Sequence, residues 1–202
     1  RSEETRERIL RAAQVAFAEH SYDAAGVAEI CQLAGVSKGA FYHHFPTKQA
    51  VFLALLDQWL AGLDAQLALY RQEEDIVRAF EHMAGMACDV FRDAAGRLPL
   101  FLAFWSQAAH DPIIWQAIIT HYHRYTRFFA GMIEAGVARG SLKPIDPDVA
   151  ACALVSFAVG VILQGLLDPQ GADWGQRTRE GVRLWLCAIK NDQSHKKEVT
   201  AS

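Results

Sequence analysis

Apolar residues in this chain recur at spacings of three and four from end to end, and no run alternates at period two between turn residues. That periodicity argues against a sheet and predicts an all-α fold. Ile9, Ala13, Ala16 and Phe17 share one face of a helix over 3–20, which ends before the turn-favouring Ser21-Tyr22-Asp23. Val27, Ile30, Cys31 and Ala34 share one face of a short helix that begins near Gly26 and stops at Gly35, the residue best able to take a left-handed cap. Ser37 can cap a third, very short helix over 38–45, where Phe41 and Phe45 stand one turn apart and Pro46 halts it. Thr47 then caps a long helix over 48–70 whose stripe, Phe52, Leu55, Leu56, Trp59, Leu63 and Leu67, is too long for a compact three-helix head alone. Further helices are predicted at 74–91, 98–109, 112–138, 147–167 and 173–189. Asp111-Pro112 and Asp146-Pro147 mark two of the starts, with Asp capping and Pro in the first helical position. The predicted organisation is a head over 1–47, a linking helix and helical bundle over 48–190, and a frayed polar tail over 191–202.

The composition, 51% hydrophobic and 21% charged, suits a folded core. The formal net charge of −3 gives no global attraction to a polyanion, so any nucleic-acid contact must come from a local patch. Cys31, Cys88, Cys152 and Cys187 lie far apart in apolar surroundings and read as buried core thiols, which suits a reducing compartment. The mixed-charge start does not read as a signal peptide. The uncharged stretch from Val149 to Leu167 is long enough to span a bilayer, but it is rich in Ala and Gly, contains Ser156 and Gln164, and lacks a flanking Lys/Arg cluster. It is expected to be a buried helix, and no membrane partner is expected.

Two short helices joined by Gly35-Val36-Ser37 have the parts of a helix-turn-helix: a sharp turn, an apolar pin at Val36, and a capped second helix short enough to enter the major groove. Between Ile30 and Leu56 there is no Asp or Glu, whereas Lys38, His43, His44 and Lys48 fall in that interval. The head therefore carries the positive patch that the whole chain lacks.

The segment from Val27 to Lys48, with its Gly-Val-Ser turn, Phe41-Tyr42-His43-His44-Phe45 core and following lysine, strongly resembles the DNA-binding domain of TetR-family regulators. The resemblance covers about the first quarter of the chain. It implies that Lys38, Gly39, Ala40, Tyr42 and His43 face the groove, that Phe41 and Phe45 face the core, and that Lys48 contacts phosphate. Gly26, Val27, Ser37 and Thr47 complete the implied DNA-binding set. Gly39 and Ala40 let the backbone approach closely but limit hydrogen-bond readout. The chain departs from the family pattern at Ser21, commonly Gly, and at Gly26, commonly Ser or Thr. The missing hydroxyl at Gly26 leaves only a backbone amide for phosphate and predicts weaker DNA binding.

The resemblance further implies that the last two long helices of each protomer form a four-helix dimer interface. Ser156 and Gly160, one turn apart on an apolar helix, would admit a close partner, with Gln164 further along and Val182, Trp185 and Ile189 on the last helix. The helix over 112–138 carries two adjacent apolar stripes and is expected to be buried on more than one side. His82, Met83, Met86, Phe101, Phe104, Trp105, His121, Tyr125 and Gln164 are candidates for lining an apolar effector pocket, although each alone reads as a core or hydrogen-bonded residue.

The leading expectation is a bacterial, cytoplasmic, ligand-responsive repressor. It would bind palindromic double-stranded operator DNA as a homodimer and be released by a small apolar or aromatic effector acting through the helix over 48–70. A helical ligand carrier without specific DNA binding is the alternative. An enzyme or metal protein is not expected: no catalytic residue, cofactor or metal site is read, because His43-His44 and His121/His123 point to different sides of a helix and no zinc, phosphate-loop or nucleophile motif is present.

Overall fold

The computed structural model describes residues 2–70, 73, 75–92 and 94–191, with side chains described outside 87–99. Among the described residues the chain forms α1 (Ser2–Ala24), α2 (Val27–Ala34), α3 (Lys38–His44), α4 (Lys48–Tyr70), α5 (Ile76–Arg92), α6 (Ala94–Ala108), α7 (Pro112–Ala138), α8 (Pro147–Leu167) and α9 (Trp174–Ile189). The fold is all-α, and an isolated bridge between Leu142 and Lys190 is the extended pairing recorded there. The cap chemistry explains most boundaries. Asp111, Asp146 and Asp173 accept backbone N–H bonds in the first turns of α7, α8 and α9, and Asp75 does the same for α5. α5 thus starts at Ile76, and α6 begins at Ala94 rather than at Leu98. The expected helix break before Ser21 survives as a kink: the helical assignment runs on to Ala24, but Ser21 itself has φ 68° and ψ 165°.

Two compact units emerge, one built from residues 1–65 and 93–119, the other from 66–92 and 120–202. Their boundaries fall inside α4 and α7, so each of these helices contributes to both units, whereas the sequence suggested a division at residue 48. In the first unit α1 packs against α2 and α6. Ile9, Leu10, Phe17, Ile30, Phe41, Val51, Phe52, Phe104 and Ile114 fill its core. The Phe52 ring lies 5.4 Å from Phe17 edge-on and 4.2 Å from Phe104. Burying each such side chain contributes roughly 1.5–3 kcal/mol, which is what holds a short, weakly helical α2 in place.

In the second unit α9 packs against α5 and α8. Phe80, Ile133, Leu142, Leu154 and Leu186 centre a core that also takes in Val182 and Ile189. α8 and α9 meet at Gly181, where a Cβ would stand 2.1 Å from the Phe157 ring. Two sequence expectations change here. α8 is long and apolar enough to cross a membrane, as is α4, yet only 28% of its apolar window is buried within the chain, so α8 is not the enclosed helix its composition suggests. Cys31 is buried as expected, but Cys152 and Cys187 are exposed, because they sit on the outward faces of α8 and α9. The side chain of Cys88 and the tail beyond Asn191 lie outside the described residues.

Candidate nucleic-acid interface

The head is built by caps at both ends of each short helix. Gly26 enters α2 in an extended conformation, and its N–H donates to Glu29 Oε2 at 3.4 Å, while Glu29 Oε1 lies 3.1 Å from His20 Nε2. At the other end Gly35 has φ 62° and ψ 41°, and the N–H of Val36 returns to the Cys31 carbonyl. Arg8, reaching from α1, donates its guanidinium to the carbonyls of Ala34 and Gly35. A cation at that end complements the helix dipole, and a side chain at Gly35 would collide with it, since a Cβ there would stand 2.9 Å from Arg8 Nη2. Ser37 Oγ then accepts the Ala40 N–H at 3.1 Å, which starts α3.

α3 sorts its side chains as the resemblance implies for the core. Phe41 and Phe45 are buried, and the Arg6 guanidinium covers the Phe45 ring at 5.3 Å. Its outward face presents Lys38, Gly39, Tyr42 and His43, all exposed, with Ala40 half-buried. Tyr42 is 52% exposed yet not loose, because its ring stands edge-on to Phe41 at 5.3 Å. His43 is braced in the same way by His44. Around Gly39 an added Cβ would find only Ser37 Oγ, at 3.8 Å, so the space outside it is open to an approaching backbone. Thr47 Oγ1 accepts the Ala50 N–H and Ser37 Oγ that of Ala40, and each hydroxyl keeps a proton to donate to phosphate. Val27 is half-buried at the start of α2. At Gly26 the amide is shared with the Glu29 carboxylate, so a phosphate approaching there meets a like charge.

Lys48 is half-buried at the start of α4. Its Nζ donates to the carbonyls of Tyr22, Asp23 and Ala25 at 2.7, 3.4 and 3.1 Å and lies 4.5 Å above the Tyr22 ring. This junction extends within the same unit: Gln107 donates to Asp23 Oδ2 at 3.0 Å and Gln49 donates to Asp111 Oδ2. Burial, Asp111 and Asp23 together raise the Tyr22 hydroxyl above its ordinary pKa of 10.0. None of these contacts was visible in the sequence, where the partners lie tens of positions apart.

The pocket candidates divide between the units. Phe101 and Phe104 are buried in the first unit against Trp59 and Phe52, and Trp105 is exposed. In the second unit Met83 packs on the core, and His82 lies against Tyr70 and 3.5 Å from Glu73. Met86, His121 and Tyr125 are half-buried, and Gln164 is exposed. Of the residues expected at a dimer interface, Ser156 and Gln164 face outward and Gly160 is half-exposed, but Val182 and Ile189 are inside the unit's own core and Trp185 stands edge-on to Phe80 at 5.2 Å. The outward face of α9 carries Leu184, Cys187 and Ala188 instead. Among the described residues no three His, Cys, Asp or Glu side chains gather where they could hold a metal ion.

Residues 9–55 match the model of bacterial regulatory proteins of the tetR family, and residues 81–188, more than half of the chain, match the C-terminal domain of BetI-type transcriptional repressors. The chain belongs to the TetR family. Within the family it is 24% identical over 159 residues to the transcriptional regulator UidR of Escherichia coli K12, covering 78% of this chain and 80% of UidR. It is 29% identical over 143 residues to RutR of the same organism, covering 69% of this chain and 65% of RutR. Solved structures share the fold along nearly the whole chain. The fatty acid degradation regulator FadR from Bacillus halodurans superposes with a TM-score of 0.80 at 18% identity, over 90% of this chain and 94% of FadR. A protein from Saccharomonospora viridis solved with choline superposes with a TM-score of 0.79 at 22% identity, over 93% of this chain and 98% of that one. As a TetR-family member, the chain is a transcriptional regulator with a DNA-binding helix-turn-helix.

Proposed function

We infer that this regulator is a repressor that binds palindromic operator DNA as a homodimer in the bacterial cytoplasm and is released by a small apolar or aromatic effector. The observation that carries the reading is the outward face of α3. Lys38, Tyr42 and His43 project from a helix with no acidic residue, around an open Gly39, on a chain whose net charge is −3. Such a face neutralises phosphates through Lys38 and leaves few side chains to read base edges, so His43, Tyr42 and the shape of the duplex carry the specificity.

The homodimer is supported by α8 and α9. Val149, Cys152, Ser156, Gly160, Gln164 and Leu167 form one outward stripe on α8, and Leu184 on α9 is 74% exposed. An apolar helix left this bare is what a partner helix covers. Effector response rests on likeness to solved folds: one structural neighbour was solved with choline and another is a fatty acid degradation regulator. In this chain the candidates are Phe101, Phe104, Trp105, His82, Met83, Met86, His121, Tyr125 and Gln164. α4 and α7, each shared by the two units, are the elements through which a bound effector would act on the head.

The carrier reading, without specific DNA binding, draws on the Gly26 amide being engaged by Glu29. Replacement of Tyr42 by Ala separates the two. The repressor reading predicts that its Kd for operator DNA rises about ten-fold or more while thermal stability and oligomeric state are kept. An unchanged Kd in a folded dimeric variant would favour the carrier.

A further inference from the structure

We propose that Lys48 is a positioning residue of the reading head, its ammonium held by backbone carbonyls, and not the phosphate ligand that its place after the recognition helix suggests. The proposal rests on the DNA-binding reading of α3. An ammonium has three N–H donors and no acceptor. Here all three have a carbonyl within reach, those of Tyr22, Asp23 and Ala25 at 2.7, 3.4 and 3.1 Å, and the Tyr22 ring offers its face at 4.5 Å. These carbonyls belong to the end of α1 and the segment entering α2, where backbone acceptors lack helical partners and a cation is favoured. To meet a phosphate, Lys48 would have to leave all of them uncompensated.

The location gives the bond its consequence. Ala25 is followed directly by Gly26 and α2, while Lys48 opens α4 a few residues after α3 ends. One side chain therefore ties the entrance of the helix-turn-helix to its exit. Together with Arg8, which ties the carbonyls of Ala34 and Gly35 to α1, it fixes α2 at both ends. The orientation of α3, and hence which of Lys38, Tyr42 and His43 reach the groove, depends on that frame. An arginine would keep the charge but not the function, because a planar fork cannot converge on three carbonyls arranged around one point.

The test is the salt dependence of binding to one fixed duplex by wild type, Lys48→Met, Lys48→Arg and Lys38→Met. A lost phosphate contact lowers the slope of log K against log salt by about 1. The proposal predicts that Lys48→Met weakens binding about ten-fold or more with an unchanged slope, that Lys48→Arg does not restore it, and that Lys38→Met lowers the slope. A slope reduced by about 1 in Lys48→Met, with affinity restored in Lys48→Arg, would overturn it. If the Met variant does not fold, amine-reactive labelling of the wild-type protein decides. Lys48 should label slowly compared with Lys38 in the free protein, with no further protection on adding DNA, whereas fast labelling that DNA suppresses contradicts the proposal. Failure of wild type to bind any duplex would count against the DNA reading alone, since the labelling of the free protein still reports on Lys48.

Discussion

Ser21 carries a φ of 68° with ψ 165°, a region that is almost the preserve of glycine, and it does so where the TetR pattern commonly has glycine. The residue therefore stores strain at the end of α1, and Ser21→Gly is expected to raise stability by roughly 0.5–1 kcal/mol, read as a higher urea midpoint at unchanged m. An unchanged or lower midpoint would show that the conformation is not strained. Next to it, the raised pKa of Tyr22, due first to burial and then to Asp111 and Asp23, makes a pH prediction. The folded state holds the phenol proton more tightly than the unfolded chain, so this stabilisation is complete below pH 10 and is lost as pH rises from there through the folded pKa. Tyr22→Phe should lose less stability than wild type between neutral and strongly alkaline pH; equal losses would exclude Tyr22 as a source.

At the scale of elements, α8 and α9 show what periodicity can and cannot say. Val182, Trp185 and Ile189 recur at three and four, which establishes that they share a face, but the same pattern serves a helix packed on its own core and one packed on a partner. The structure turns that face inward against Phe80 and leaves Leu184 outside. Leu184→Asp is accordingly expected to convert dimer to monomer in analytical ultracentrifugation, since a carboxylate would be buried without a partner, whereas retention of the dimer would remove α9 from the interface. The caps were legible because cap chemistry is local: Gly35, Ser37, Thr47, Asp111 and Asp146 act within a few residues of themselves. Arg8 and Lys48 were not, because their acceptors are backbone carbonyls of residues 23 to 27 positions away, which carry no side-chain signature. The exposed Cys152 was misread for the reason that misled on α8, namely that apolar composition does not distinguish a core from an uncovered face.

Over the whole molecule, a net negative chain keeps the stretch between Ile30 and Leu56 free of acidic residues, and α8 presents an outward apolar stripe. The all-α fold and the helix-turn-helix followed from the sequence because spacing, turn glycine and cap agree with one another at every step. The effector candidates did not gather as clearly, because an aromatic stripe looks the same whether it fills a core or lines a cavity. A homodimer of this regulator is expected to place one head on each of two half-sites. The measurement that tests it most directly is selection of bound fragments from a random DNA pool by the purified protein at near-physiological salt, followed by sequencing. The expected result is an inverted repeat whose half-site centres lie about one helical turn, or a multiple of it, apart. Recovery of no preferred sequence by folded, dimeric protein would contradict it.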